Sequence, residues 1–346
     1  MSRHIFAYLA SLIFISCGHD AGQMGSVRFS SKANRAPADE GSKKDRPGAN
    51  NKEALKNSSS TESLVDKNLP WVTEQVKSPG VVFRTFQSKI TQGKVSYHIY
   101  IPESYHKSAT KFPVLYWLHG TQGGVLGISK VSKFFDDEMA KGHVPEMLIV
   151  FVNGLPRRLW ADSKDGASPV ERVFVNDVIS DVENEFRVLP ERRGRILEGF
   201  CMGGYGAARI GFKYPDLFSG ISILAGGPLD TSFEGPKAKR NQKLRQAILN
   251  DVCSNDMDYF KAISPWMIAE NSKKDLTEKK NLIRQVVGTL DETAELNRRF
   301  HEHLSSLKIS HDYIEVPNIG HDAEALLEKL GRKNGEFYRK ALEQKP

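Results

Sequence analysis

The chain has few cysteines: Cys17, Cys201 and Cys253 are the three among 346 residues. An odd and small number does not form a disulfide framework, so each cysteine needs its own explanation. The sequence also lacks metal-ligand spacing and a phosphate-binding glycine loop, so no cofactor is expected. The net charge is +7, but lysines and arginines are mixed with acidic residues. A basic stripe with interleaved aromatic residues is missing, which argues against nucleic-acid binding.

The first residues predict an export signal. Arg3 and His4 precede an apolar run, residues 5–15, that is too short to span a bilayer. Residues 14–18 (FISCG) follow. They resemble the bacterial lipoprotein signal, in which the chain is cut before a cysteine that then carries the lipid. We therefore predict a signal peptide over residues 1–16 and lipid attachment at Cys17. An ordinary secretory signal with an incidental cysteine is the alternative.

The composition changes after this signal. Residues 18–68 are rich in Ser, Lys, Asn, Gly and Ala and contain one aromatic residue, Phe29. Such a segment cannot bury enough apolar surface to offset its loss of entropy on ordering. We predict a disordered tether over residues 17–69 and a folded domain over residues 70–346. The protein is then exported, held in the cell envelope (periplasm or outer surface), and bound to a membrane only through its lipid.

The folded part alternates between strands and helices. Helical spacing occurs in three segments, and residues 228–275 are polar and helix-like. This order predicts an α/β fold with a mostly parallel sheet and helices on both faces. The region 228–275 is interpreted as a long crossover or, alternatively, as a cap over the site. Strands are predicted at 81–86, 95–101, 114–118, 147–152, 195–197, 221–224, 282–287 and 313–316, and helical stripes at 174–186, 296–307 and 335–342.

The segment around Cys201 carries the strongest functional signal. Residues 198–207 (EGFCMGGYGA) follow a short apolar strand and open a helix. With serine in place of Cys201, this is the nucleophile elbow of α/β-hydrolases, whose tight turn requires small residues two positions before and after the nucleophile. Gly199 and Gly203 occupy those positions. The helix start favours an anion there, which activates a thiol. Cys201 is the predicted nucleophile, and Cys253 is interpreted as incidental.

A thiol nucleophile needs a base and an orienting carboxylate. In this fold the chain order is nucleophile, acid, base. Asp291 follows the strand ending near residue 287, and His321 follows the strand ending near residue 316. They are the predicted acid and base. The alternatives left open are Asp291 as a helix cap only, Glu292 or Asp322 as the acid, and a solvated role for His321 with His301, His303 and His311 nearby.

The oxyanion of an acyl-transfer reaction needs backbone N–H donors. Met202, directly after the nucleophile, is one predicted donor. The loop 119–124 supplies the other, with Thr121 as the preferred residue. His119 at the end of its strand is expected to shape this loop, and together with Gly120 it is assigned to the substrate-binding side.

Residues 81–342 resemble the α/β-hydrolase family that contains feruloyl and acetyl-xylan esterases, esterase D and the mycolyltransferases. The resemblance implies an α/β-hydrolase fold, esterase activity without a cofactor, and a substrate-side loop carrying Trp160. The departure is Cys201, where this family uses serine. Dienelactone hydrolases are similar in using a Cys-His-Asp triad. The segments that carry the resemblance are residues 113–120 (PVLYWLHG), 198–207, 287–291 (VGTLD) and 320–321 (GH).

Together these features predict an acyl hydrolase that works through a covalent acyl-enzyme. Because a thiolate leaves easily, the intermediate formed with an unactivated ester reverts to substrate. We therefore expect a small-molecule or glycan acyl substrate of the activated ester, lactone or thioester type. Two alternatives stay open: an acyltransferase acting on envelope glycans or lipids, and a tethered binding protein without catalytic activity.

Overall fold

A computed structural model describes residues 68–226 and 242–344. They contain an eight-stranded sheet in the order β1-β2-β4-β3-β5-β6-β7-β8. The first two strands pair antiparallel, β2 also pairs antiparallel with β4, and the other neighbours are parallel. The strands are β1 Val81–Gln87, β2 Lys94–Tyr100, β3 Val114–Leu118, β4 Leu148–Val152, β5 Arg195–Phe200, β6 Gly220–Leu224, β7 Leu282–Gly288 and β8 Asp312–Val316.

Helices cover both faces of the sheet. Ile128–Ala140 and the two C-terminal helices pack on one face, and the helix after Cys201 packs on the other. The α-helices are Glu103–Lys107, Ile128–Ala140, Val170–Arg172, Ile179–Glu185, Met202–Lys213, Gln242–Cys253, Met257–Ala262, Pro265–Asn271, Lys273–Lys279, Ala294–Ser306, Ala323–Leu330 and Arg332–Leu342. A π-helical stretch, Val173–Val178, and a 3₁₀ turn, Arg192–Gly194, complete the helical elements.

The central strands are buried on both faces because helices cover them. In β3 every residue is buried. Val114, Tyr116 and Leu118 belong to the core on one face, whereas Leu115 and Trp117 belong to the core on the other. This alternation follows from the two-residue period of a strand. It explains why the central strands are continuous apolar runs in the sequence.

The predicted α/β fold is confirmed, and the predicted strand positions agree with the observed ones within one residue, except that the fifth strand continues three residues further, to Phe200. Gln92, in the turn between the first two strands, lies in the left-handed region at φ 54°. The stripe 174–186 is helical but contains the π-helical stretch. The region after residue 241 forms four helices between β6 and β7. Residues 227–241, and with them the start of the proposed crossover or cap, are outside the described part.

Several predictions concern residues that the structure does not describe. The signal peptide over residues 1–16, lipid attachment at Cys17 and all but the last two residues of the tether over 17–69 lie outside the described residues. They stay predictions from the sequence. Within residues 68–226 and 242–344, no helix is long and apolar enough to cross a membrane.

Candidate active site

Cys201 occupies a tight turn between β5 and the helix Met202–Lys213, which we call the nucleophile helix. Its backbone has φ 61° and ψ −122°, which is unfavourable for a residue with a side chain. The turn is held by a hydrogen bond from the Cys201 N–H to the Leu224 carbonyl at 3.0 Å. Strain of this kind is found at functional sites, where the surrounding structure maintains it.

The glycines on both sides of Cys201 are required by close backbone contacts. A Cβ atom on Gly199 would lie 2.3 Å from the Gly203 carbonyl oxygen. A Cβ atom on Gly203 would lie 1.8 Å from the Leu118 carbonyl oxygen. Both distances are far below van der Waals contact. The spacing read from the sequence therefore reflects the close approach of the nucleophile helix to β3 and β5.

The two described cysteines differ in exposure. Cys201 is partly exposed, whereas Cys253 is fully buried. Burial raises the pKa of the Cys253 thiol to about 12, so this thiol is protonated at neutral pH. Cys201 instead precedes the first turn of a helix, where unpaired N–H groups stabilise a nearby anion. Of these two thiols, only Cys201 has surroundings suited to a nucleophile.

Asp291 and His321, the predicted acid and base, form a hydrogen-bonded pair. The His321 Nδ1 lies 2.8 Å from Asp291 Oδ2. The second carboxylate oxygen accepts hydrogen bonds from the Thr293 backbone N–H and hydroxyl, both at 2.7 Å. Burial favours the protonated acid, but the hydrogen bond and charge of His321 outweigh it, so the pKa of Asp291 is lowered. Asp291 therefore acts as a fixed anion that orients the ring.

The His321 ring also interacts with the side chain of Cys201. Burial lowers the pKa of His321, but its hydrogen bond with Asp291, its interaction with Cys201 and the charge of Asp291 raise it to about 10. The Phe200 ring, one residue before the nucleophile, contacts the imidazole with 4.6 Å between ring centroids. The structure thus places Cys201, His321 and Asp291 next to one another.

The loop after β3 lies beside the nucleophile. A Cβ atom on Gly120 would be 3.9 Å from the Cys201 Sγ. Thr121 is the next residue, and its carbonyl accepts a hydrogen bond from the Arg157 N–H at 3.2 Å. Met202 begins the nucleophile helix, so its N–H has no carbonyl acceptor within that helix. This arrangement is compatible with the predicted oxyanion donors, Thr121 and Met202.

The side chains of His119 and Trp160, which were predicted to bind substrate, are buried in the structure. His119 is 5% exposed and Trp160 is fully buried. The His119 Nε2 accepts the Gly154 N–H at 3.0 Å, and the Trp160 Nε1 donates to the His119 carbonyl at 3.2 Å. Burial lowers the pKa of His119 to about 4, so this ring is neutral. The prediction that these two side chains contact the substrate is therefore corrected. They are buried and support the loop, and of the three predicted residues only Gly120 lies next to the thiol.

The alternative acid Asp322 and the alternative bases His301, His303 and His311 make other contacts. Asp322 accepts the Ala325 N–H at 3.1 Å and caps the helix that follows. The Nδ1 of His301 lies 2.8 Å from the Nε2 of His311, and His303 contacts the Trp266 carbonyl. Glu292 is exposed to solvent. Among the candidates considered, His321 and Asp291 are the ones that meet at Cys201.

Several residues of the site were not expected from the sequence. Thr293 fixes Asp291, Phe200 covers the histidine ring, and Arg157 holds the Thr121 carbonyl. Thr293 was within reach of sequence reasoning, because a Thr two residues after an Asp is typical of a loop entering a helix. Phe200 and Arg157 carry no such signal. Among residues 68–226 and 242–344, no group of three or more potential metal ligands is found.

Comparison with known proteins places the chain in a family. Residues 88–342 match the family model described as Putative esterase, and the chain belongs to that family. An endo-1,4-beta-xylanase/feruloyl esterase from Xylanibacter ruminicola is 26% identical over 166 residues, which is 44% of this chain and 23% of that protein. An esterase of Mycobacterium tuberculosis is also 26% identical over 166 residues, which is 47% of this chain and 34% of that protein. The match thus spans a quarter to a third of these curated relatives.

Solved structures support the same fold. A ferulic acid esterase superposes with a TM-score of 0.60 at 23% identity, covering 75% of this chain and 98% of that one. An S-formylglutathione hydrolase from Agrobacterium tumefaciens superposes with a TM-score of 0.61 at 14% identity, covering 78% and 98%. The chain is therefore an α/β-hydrolase of the esterase type, as its sequence predicted.

Proposed function

We propose that this protein is a cysteine-dependent acyl hydrolase with Cys201 as nucleophile, His321 as base and Asp291 as the orienting carboxylate. The observation that carries the proposal is the 2.8 Å hydrogen bond between Asp291 and His321, whose ring also interacts with the side chain of Cys201. The partial exposure of Cys201 at the start of a helix supports it. Membership of the esterase family supplies the reaction type.

The reaction proceeds in two halves. The Cys201 sulfur forms a bond to the acyl carbonyl carbon after its proton has moved to His321. The N–H groups of Met202 and Thr121 stabilise the oxyanion. The intermediate collapses with cleavage of the bond to the leaving group, which takes the proton from His321. Water then attacks the thioester, gives a proton to His321, and releases the carboxylic acid and the free thiol.

The sulfur nucleophile narrows the substrate class. A thiolate leaves more easily than a simple alkoxide, so the intermediate from an unactivated ester returns to substrate. Activated esters, lactones and thioesters have leaving groups that compete with the thiolate. We therefore propose these three classes as substrates. The lipoprotein-type sequence around Cys17 supports a location in the cell envelope, where the substrate would be met.

The nucleophile assignment is tested with the pair Cys201→Ala and Cys253→Ala. Turnover of 4-nitrophenyl acetate should fall by at least about 10³-fold in Cys201→Ala, because the covalent route is lost. Cys253→Ala should retain turnover per folded molecule. Intact mass spectrometry of the native protein during turnover should detect an acyl group on Cys201. Turnover that persists in Cys201→Ala would refute the assignment, and a native protein that no activated ester acylates would favour a binding protein.

The same experiment distinguishes hydrolysis from acyl transfer. Product analysis in the presence of an alcohol or sugar acceptor measures how the acyl-enzyme partitions. Free acid as the main product supports the proposed hydrolase. Acylated acceptor as the main product would replace it with the acyltransferase alternative.

A further inference from the structure

Arg157 lies in the turn that follows β4 and packs against the loop carrying Thr121. Its backbone N–H donates to the Thr121 carbonyl at 3.2 Å. The neighbouring Pro156 side chain lies 3.5 Å from the position of a Cβ atom on Gly123. The turn and the loop are thus in direct contact over several residues. Arg157 is consequently attached to the same loop whose Gly120 lies beside the Cys201 sulfur.

The backbone of this turn is fixed in an unfavourable conformation. Arg157 has φ 59°, in the left-handed region that residues with side chains rarely adopt. Leu155, Leu159 and Trp160 share this property, with φ between 54° and 58°. The buried Trp160 ring holds the turn in place, since it fills the space beside Gly154 and Gly206. The direction in which Arg157 leaves the backbone is therefore set by the core.

The guanidinium of Arg157 differs from the other cations of its segment. Arg158 pairs with Asp251 at 3.0 Å, and Lys164 pairs with Asp256. Arg157 is exposed, and within the described part of the chain its side chain makes no hydrogen bond or ion pair. A cation that has no internal partner, and whose backbone is bonded to the loop beside Cys201, is available to bind an anion from solution. Arginine suits a carboxylate well, because its planar fork donates two parallel hydrogen bonds.

We propose that Arg157 is a specificity-determining residue that binds a carboxylate carried by the substrate. The inference rests on the proposed function and deepens it by naming the substrate class. The site would prefer acyl esters or thioesters with a negative charge a few bonds away from the reacting carbonyl. The carboxylate belongs either to the acyl half or to the leaving group, and both halves present the same chemistry to a guanidinium.

The first test uses two matched pairs of esters. Mono-4-nitrophenyl adipate and its methyl ester differ by a charge on the acyl half. The acetyl ester of 4-hydroxybenzoate and that of methyl 4-hydroxybenzoate differ by a charge on the leaving group. For each pair, the ratio of kcat/KM for the charged over the neutral ester is measured in the native protein, in Arg157→Gln and in Arg157→Lys. Arg332→Gln, an exposed arginine on the C-terminal helix, is the matched control.

In Arg157→Gln the ratio should fall about tenfold in one of the two pairs, mainly through KM. Arg157→Lys should retain part of the preference, since it keeps the charge without the fork. Arg332→Gln should leave both ratios unchanged. The preference of the native protein should weaken as ionic strength rises. The pair that responds identifies the half of the substrate that carries the carboxylate. Ratios that stay the same in both pairs, or equal losses for charged and neutral esters, would overturn the proposal.

The second test does not require turnover. Alkylation of Cys201 by 6-maleimidohexanoate and by its uncharged amide is followed by mass spectrometry. The rate ratio of charged over neutral reagent should be lower in Arg157→Gln than in the native protein and in Arg332→Gln. If no ester is hydrolysed, this rate ratio still tests whether Arg157 binds a carboxylate, because the alkylation needs only a reactive thiol. An unaltered ratio in a protein without turnover would overturn the inference together with the proposed function, whereas a lowered ratio there would support the anion site alone.

Discussion

The buried carboxylates Asp291 and Glu171 are each paired with a basic side chain, and the two pairs serve different purposes. Asp291 is 0% exposed and pairs with His321, whose side chain is 29% exposed. Glu171 and Arg209 are both 3% exposed. An imidazole gains and loses a proton near neutral pH, whereas a guanidinium stays charged. The first pair can therefore take part in proton transfer, and the second can only hold the structure.

The Glu171–Arg209 pair links the nucleophile helix to the segments that carry Trp160 and Ile263. Arg209 lies on the nucleophile helix and donates to the carbonyls of Trp160 and Ile263, each at 3.0 Å. Glu171 also accepts from Lys213 at 2.6 Å. Burial raises the pKa of Glu171, but the charge of Arg209 and the hydrogen bonds lower it to about 2. This permanent ion pair fixes the nucleophile helix relative to the turn that carries Arg157.

The largest expected effect comes from breaking the first pair. Asp291→Asn removes the charge and the acceptor that orient His321, and the ring is then free to adopt the wrong tautomer. We expect kcat/KM for 4-nitrophenyl acetate to fall on the order of 10³-fold, while the free energy of unfolding falls by only about 1 kcal/mol, because water screens the partly exposed His321 ring. Steady-state kinetics and urea denaturation measure the two quantities on the same sample. A variant with near-native turnover would remove Asp291 from the triad.

The parts of the site that follow strand ends were predictable from the sequence. Cys201, Asp291 and His321 each lie within five residues of the end of a strand, and parallel strands bring their carboxyl ends to one edge. The glycines around Cys201 are visible because a tight turn excludes every larger residue. Strands β3, β4 and β6 were predictable for a related reason: they are buried on both faces, which requires apolar runs.

The supporting residues were not predictable in this way. Arg209 meets Glu171 across 38 positions of the chain, and no local pattern marks either residue as a partner. Trp160 occurs in a polar segment, which gives no sign that its ring is buried. Its position in the core depends on Gly154 and Gly206, which leave room for the ring. The π-helical stretch also has no signal in the apolar spacing. Contacts between distant segments decide these features, and a single sequence does not display them.

Breaking the Glu171–Arg209 pair should affect activity less and stability more than breaking the Asp291–His321 pair. Glu171→Gln leaves Arg209 buried without a counter-charge, which costs about 3–5 kcal/mol of unfolding free energy. Activity per folded molecule should fall far less than in Asp291→Asn. Urea denaturation measures the loss, with Glu191→Gln as the control, because the exposed Glu191–Arg193 pair should be worth under about 1 kcal/mol. Equal stability losses in the two variants would contradict the structural role of Glu171.

The smallest expected effect is on the pH dependence of the unfolding free energy, which differs between the Asp291–His321 and Glu171–Arg209 pairs. The folded pKa of His321 is about 10, above its ordinary value of 6.5. Its stabilising contribution is therefore complete below about pH 6.5 and is lost as the pH rises through 10. The contribution of Glu171, whose pKa is lowered to about 2, is present above its ordinary value of 4.5 and is lost only as the pH falls towards 2.

Between pH 6.5 and 10, the native protein should accordingly lose more unfolding free energy than His321→Gln. The difference is expected on the order of 1 kcal/mol, since water screens a partly exposed ring. Over the same range Glu171→Gln should follow the native protein, because neither Glu171 nor Arg209 changes its charge there. Urea denaturation at pH 6, 8 and 10 gives both comparisons. A constant gap between the native protein and His321→Gln would mean that the pKa of His321 is not raised in the folded state.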